Sequence, residues 1–116
     1  IGSLKSTIGF DPWLEKYIFP GAQLGALEQL SRAMERLFVI EDLHNFGADY
    51  DRTLMAWRAN FDRHWPNLRE RYDERFRRMW RYYLSLCAAT FRARLNQVFQ
   101  LVLSPDGVTG GYRSIR

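Results

Sequence analysis

The segment Glu41-Asp42-Leu43-His44-Asn45-Phe46-Gly47-Ala48-Asp49-Tyr50 packs carboxylates, an imidazole, an amide and a phenol into one short stretch. Such a set can hold an anion or move a proton, and it can equally serve as capping and turn chemistry; the residue types alone favour neither. A glycine at position 47 lets the backbone turn sharply there. His44 by itself reads more readily as a hydrogen-bonded structural histidine than as a base. Cys87 falls on an apolar helical stripe with no obvious group to lower its pKa, so it reads as a packing cysteine rather than a nucleophile. His64 lies in a polar stretch and receives no role. No phosphate-cradling glycine loop, paired-histidine metal motif or nucleophile elbow accompanies these residues, so a complete catalytic apparatus is not visible.

The elements that must position this cluster follow from periodicity. Residues 1–21 are punctuated by Asp11-Pro12-Trp13 and Phe19-Pro20-Gly21 yet rich in aromatics, which predicts a loop packed over a core or walling a ligand pocket. Leu24, Leu27, Leu30 and Met34 recur at helical spacing, predicting an amphipathic helix over 24–36. The run Leu37-Phe38-Val39-Ile40 predicts a buried strand whose polar groups emerge at its C-terminal end, where open α/β sheets place ligands. Asp49 is a candidate cap for the next helix, with Tyr50, Leu54, Trp57 and Phe61 on one stripe, and Pro66 suits the first turn of a further helix. A long helix follows, with Tyr72, Phe76, Met79, Tyr83, Leu86 or Cys87, and Thr90 or Phe91 on one face. Its other side carries Arg69, Arg71, Arg75, Arg77, Arg78 and Arg81 against Glu70, Asp73 and Glu74, with Glu74 and Arg78 paired. Residues 97–103 predict a last strand that ends at Ser104-Pro105-Asp106-Gly107. Two strands make no stable sheet alone.

An apolar fraction of 47% in 116 residues suits one small globular unit, and 16% aromatics imply wide apolar surfaces or a lined cavity. The net charge of +4 comes from 17 basic residues interleaved with 13 acidic ones, unlike the clustered tract of a nucleic-acid binder, so no nucleic-acid partner is expected. The arginine-rich helix face reads either as solvated surface or as a surface that meets lipid headgroups. One cysteine and no Cys/His cluster point to a reducing, cytoplasmic setting without metal. No apolar run is long enough to span a bilayer, so membrane contact is expected to be peripheral. The opening Ile1-Gly2-Ser3 reads as a strand end running into a loop, as in a piece cut from something longer.

Taken in order, Asp11-Pro12-Trp13, Lys16-Tyr17-Ile18-Phe19-Pro20-Gly21, the segment from Glu41 to Tyr50, Thr53-Leu54-Met55-Ala56-Trp57, Tyr72-Asp73-Glu74-Arg75-Phe76, Met79-Trp80-Arg81-Tyr82-Tyr83-Leu84 and Phe91-Arg92-Ala93-Arg94 resemble the C-terminal region of bacterial cyclopropane fatty-acyl-phospholipid synthases. The mycolic acid cyclopropane synthases are similar but more distant. Leu43 stands where many relatives have Trp, and Leu95-Asn96 replaces a more polar pair.

The resemblance implies an α/β fold: the C-terminal fragment of a doubly wound, Rossmann-like, S-adenosylmethionine-dependent methyltransferase, mostly helical with two strands. It divides one domain over 1–116 into a pocket loop (1–21), helix and strand (22–46), helical lid (47–94), final strand (95–104) and tail (105–116). It implies methylene transfer from S-adenosylmethionine to a cis double bond of phospholipid acyl chains, with bicarbonate as base, at the inner face of the membrane; a methyl-branching relative is the alternative. Tyr50 is implied as the phenol bonded to bicarbonate, and Ile1 as a backbone ligand to it. Phe19, Leu24, Leu54, Tyr83, Cys87 and Phe91 are implied as acyl-chain wall, Cys87 being a position sometimes given as an active-site residue in this family. Glu41 and His44 are implied as pocket support. The cofactor loop, its acidic ribose ligand and the remaining bicarbonate ligands are missing from these 116 residues. The expectation is therefore a fragment inactive alone, with S-adenosylmethionine bound elsewhere, that folds poorly or self-associates into a homo-oligomer. A non-catalytic helical module for acidic partners is the reading from another class.

Overall fold

The computed structural model describes residues 11–115, so the expectation for Ile1 lies outside the described residues. The predicted loop gains a short helix, α1 (Pro12–Tyr17), because Asp11 accepts from the amides of Trp13 at 2.9 Å and Leu14 at 3.1 Å while Pro12 opens the first turn. Helix α2 (Leu27–Met34) is shorter at both ends than the apolar spacing predicts. The Gln29 side chain accepts from the Ala26 amide at 2.8 Å, fixing its start, and Arg36, at φ 68°, lies beyond its end in a conformation no helix continues through.

Strand β1 (Val39–Asn45) pairs antiparallel with β2 (Phe99–Ser104), from Val39 opposite Ser104 to Asn45 opposite Phe99. Two expectations change here. The polar run Glu41–Asn45 lies on the strand, because its backbone is paired with β2, rather than beyond the strand's end. The strand is also not buried: Val39 and Ile40 are each 45% exposed, since no layer among the described residues covers them. A bulge between Ile40 and Asp42 breaks the alternation. Glu41 and Asp42 consequently share the face occupied by His44, Gln100 and Val102, while Ile40, Leu43, Phe99, Leu101 and Leu103 make the apolar face.

Helix α3 (Gly47–Leu68) starts earlier and ends later than predicted. Asn45 rather than Asp49 meets its first amide, accepting from Gly47 N at 3.1 Å, and Asp49 falls within the first turn. Gly47 is required by closeness rather than by a special turn, because a Cβ there would stand 3.1 Å from Val98 N and 3.2 Å from Gln97 Cα. Pro66 does not begin a new helix; it sits in the last turn of α3, where its missing N–H forfeits a single bond before the chain turns at 69–73. Asp73 then caps α4 (Glu74–Arg92) by accepting from Phe76 N at 2.8 Å.

Helices α3 and α4 form an antiparallel hairpin joined along its seam. Asp51 is bidentate to Arg92 at 2.9 and 3.0 Å, Arg58 donates to Ser85 at 3.0 Å, and Asp62 lies 3.1 Å from Arg81 Nε without hydrogen-bond alignment. Leu54, Leu84 and Ala88 fill the centre. Fully burying each leucine stabilises the pair by about 2 kcal/mol. Arg77 lies over Trp65 and pairs with Glu74 at 3.1 Å, so Glu74 meets Arg77 rather than Arg78, and Arg77 and Arg81 belong to the seam rather than to an outer basic face.

Candidate functional site

The inner faces of α3 and α4 bring together most of the residues expected to wall a pocket. Tyr50, Trp80, Tyr83, Cys87 and Phe91 pack around Leu54, Leu84 and Ala88. The Tyr50 ring meets Phe91 edge-on at 5.1 Å and Trp57 at 5.9 Å, and Phe19 reaches the cluster from beyond α1, edge-on to Tyr83 at 5.8 Å. The sequence accounts for this convergence. Tyr50, Leu54 and Phe61 follow the helical period on α3, and Trp80, Tyr83, Leu84, Cys87, Ala88 and Phe91 follow it on α4. Among the described residues the Tyr50 and Tyr83 hydroxyls donate to no protein acceptor. Two phenols thus stand beside an apolar wall with donors to offer.

The electrostatics keep this wall neutral. Burial, with the neighbouring Asp11 carboxylate second, pushes the Cys87 thiol up to about 11. At neutral pH it is a thiol, which makes it a poor nucleophile and a good surface for an alkyl chain. Burial also raises Tyr83, and charge on Cys87 or Tyr50 would add to that shift, which places the three groups within each other's field.

Other expected residues lie apart. Leu24 is 48% exposed ahead of α2, outside the buried cluster. Glu41 ties the strands to the C-terminal segment: its Oε1 accepts from Ser104 Oγ at 2.5 Å and Val108 N at 2.8 Å. These bonds, the Ser104 hydroxyl first, hold its carboxyl below the usual range. His44 stacks at a tilt on Phe46 at 5.4 Å and faces a hollow bounded by Asp42, Gln100, Val102, Tyr112, Ser114 and Ile115. Glu41 and His44 therefore face the C-terminal segment. Trp80 is a cluster member that the stripe of Phe76, Met79 and Tyr83 leaves out, because Met79 and Trp80 both fit the helical period; the Asp11 carboxylate, near enough to add to the Cys87 shift, carries no local signal. No group of His, Cys, Asp and Glu capable of holding a metal occurs among the described residues.

Comparison with known proteins gives the family. The family profile described as Mycolic acid cyclopropane synthetase matches residues 3–101. The chain is 51% identical over all 116 residues to Cyclopropane-fatty-acyl-phospholipid synthase of Escherichia coli (strain K12), of which it spans 30%. It is 50% identical over 90 residues to the protein of the same name from Citrobacter freundii, covering 78% of this chain and all of that sequence. Tuberculostearic acid methyltransferase UfaA1 of Mycobacterium tuberculosis is 33% identical over 98 residues, 82% of this chain and 23% of its own length. With its full length aligned to one such synthase and nearly all of it matched by the family profile, the chain belongs to the mycolic acid cyclopropane synthetase family.

Proposed function

We propose that this chain is the C-terminal part of a phospholipid cyclopropane synthase with a doubly wound methyltransferase fold, and that α3 and α4 wall its acyl-chain pocket. The observation that carries this reading is the 51% identity over the whole chain to a cyclopropane-fatty-acyl-phospholipid synthase. The aromatic cluster with its unengaged phenols supports it chemically. S-adenosylmethionine supplies the methyl group and bicarbonate the base when they are bound. No glycine-rich loop is present here, so these residues do not hold the cofactor, and no step is assigned to them through it. Tyr50 suits the anion: among the described residues its hydroxyl donates to no protein acceptor, and the rings of Phe91 and Trp57 limit water around it.

During transfer the alkene carbon gains a methyl group and its neighbour becomes electron-deficient; loss of a proton from the new methyl then closes the three-membered ring. The chain's task is to keep water from that cation and present ring faces to it, which Tyr83, Trp80 and Phe91 are placed to do. Tyr50 holds the proton acceptor by donating one hydrogen bond. Cys87 and Leu54 serve as wall, and the contact with lipid is peripheral, at the cytoplasmic face. Among the described residues no helix is long and apolar enough to cross a membrane.

Expression of the full-length protein, followed by mass spectrometry and NMR of the lipids, tests the assignment. Ring formation adds one CH2 to each modified chain, abolishes the alkene signals and introduces cyclopropane protons. Methyl-branched lipids would instead place the protein with the tuberculostearic acid methyltransferase it also matches. Unmodified lipids in the presence of S-adenosylmethionine would refute both.

A further inference from the structure

The basic charge of this chain is concentrated at one end of the helical hairpin. Between positions 63 and 78 there are six arginines and three carboxylates, a surplus of three out of the net four positive charges of the whole chain. Two of those carboxylates are engaged within the chain, Asp73 by capping α4 and Glu74 by pairing with Arg77. Arg63, Arg69, Arg71, Arg75 and Arg78 are all exposed. In their midst Tyr72 is 44% exposed and stacks on Phe76 at 4.4 Å.

This tip connects with the aromatic cluster. Phe76 stacks on Trp80 at 5.8 Å, Trp80 meets Tyr83 at 5.1 Å, and Phe61 flanks both Phe76 and Trp80. A row of rings thus runs from the exposed tip to the phenol cluster, the seven helical steps from Phe76 to Tyr83 spanning about 10 Å. A basic rim, an amphipathic tyrosine at its centre and an apolar ring row leading inward match a phospholipid, whose anionic head and alkyl tail are joined in the same order. A nucleic acid would ask for several exposed ring faces among the arginines, whereas here Phe61, Phe76 and Trp80 are half-buried and face the partner helix.

We propose that the α3–α4 tip is the surface by which the protein docks on anionic lipid headgroups, with Arg69, Arg71, Arg75 and Arg78 as the headgroup contacts and the ring row as the path of the acyl chain. This rests on the lipid-modifying reading above and adds where the membrane is met. Each basic side chain near an anionic surface is worth roughly fivefold in partitioning.

The test is co-sedimentation of the full-length protein with vesicles of phosphatidylglycerol or of phosphatidylcholine, alongside turnover on detergent-dispersed phospholipid. The wild type should partition onto phosphatidylglycerol vesicles and release as salt rises through several hundred millimolar. The fourfold variant R69Q/R71Q/R75Q/R78Q should lose at least about tenfold in partitioning while keeping the wild-type thermal midpoint and the wild-type affinity for S-adenosylmethionine. R32Q/R36Q, elsewhere on the chain, should bind as the wild type does. Equal wild-type partitioning onto both vesicles, salt-insensitive binding, or undiminished binding by the fourfold variant while its thermal midpoint and cofactor affinity prove it folded would overturn the docking surface; so would preferential capture of nucleic acid over vesicles. No turnover by the wild type on any lipid would instead sink the functional reading and leave the vesicle result to stand or fall by itself. Should the fourfold variant fail to fold, the wild-type salt and headgroup dependence decides the matter.

Discussion

Cys87 shows how much one residue's surroundings decide its chemistry. That no cation neighbours it in sequence is legible from the chain; that Asp11, brought in from the N-terminal side, adds to the raised thiol is not, because that contact depends on where α1 docks. With a folded pKa near 11 against the ordinary value near 9, about one thiol in a thousand is ionised at pH 8. Iodoacetamide labelling of Cys87 in the folded protein should therefore be slow at pH 8 and climb about tenfold per pH unit until near pH 11; a plateau by pH 9 would contradict the burial argument. The same shift makes stability pH-dependent. The folded state holds a proton that the unfolded chain releases first, so this contribution is complete below about pH 9 and is lost as pH rises through 11. Replacement by alanine should leave turnover within severalfold of wild type, since a wall residue takes no covalent part; loss of a hundredfold or more would make the thiol a participant.

At the scale of elements, the helical stripes of α3 and α4 are largely readable, and what the sequence leaves open has a physical cause. Met79 and Trp80 are both apolar neighbours one position apart, so periodicity cannot choose between them, and only the facing α3 side chains settle that Trp80 joins the cluster. Pro66 suggests a helix start because its cost is small in a first turn; it lies instead in the last turn of α3, where the bond its N–H would have made is forgone and the helix ends two residues later. The segment from Glu41 to Asn45 reads as emerging from the end of a strand because its side chains are polar, yet a strand open on its faces tolerates polar side chains as long as its backbone is paired. Two substitutions test the packing. Leu84→Ala should destabilise the protein by about 3 kcal/mol, seen as a lower urea midpoint, because its side chain is fully buried between the helices. Gly47→Ala should cost about 1–2 kcal/mol by pressing α3 away from the 97–98 backbone, and an unchanged midpoint would show that this approach is looser than 3.1 Å.

For the whole molecule, the dimensions are those of something unfinished as a layered unit. A radius of gyration of 18.0 Å exceeds the roughly 13 Å of a compact chain of this length, and the extents are 55 × 32 × 25 Å. The helical hairpin has its own core, whereas the two-stranded sheet leaves Ile40, Leu43 and Leu103 exposed on one face. The 116 residues expressed alone should therefore self-associate and bind more of a hydrophobic dye per molecule than the full-length protein does; a monomeric, dye-silent fragment would mean that the sheet needs no further cover. The proposed chemistry depends on a phenol holding the proton acceptor inside an apolar pocket. Its most direct test is turnover of full-length Tyr50→Phe at saturating S-adenosylmethionine, with cofactor affinity measured in parallel. Turnover should fall at least about tenfold while cofactor affinity stays within twofold of wild type. Ring formation at the wild-type rate would contradict the role given to Tyr50 and, with it, the pocket built around it.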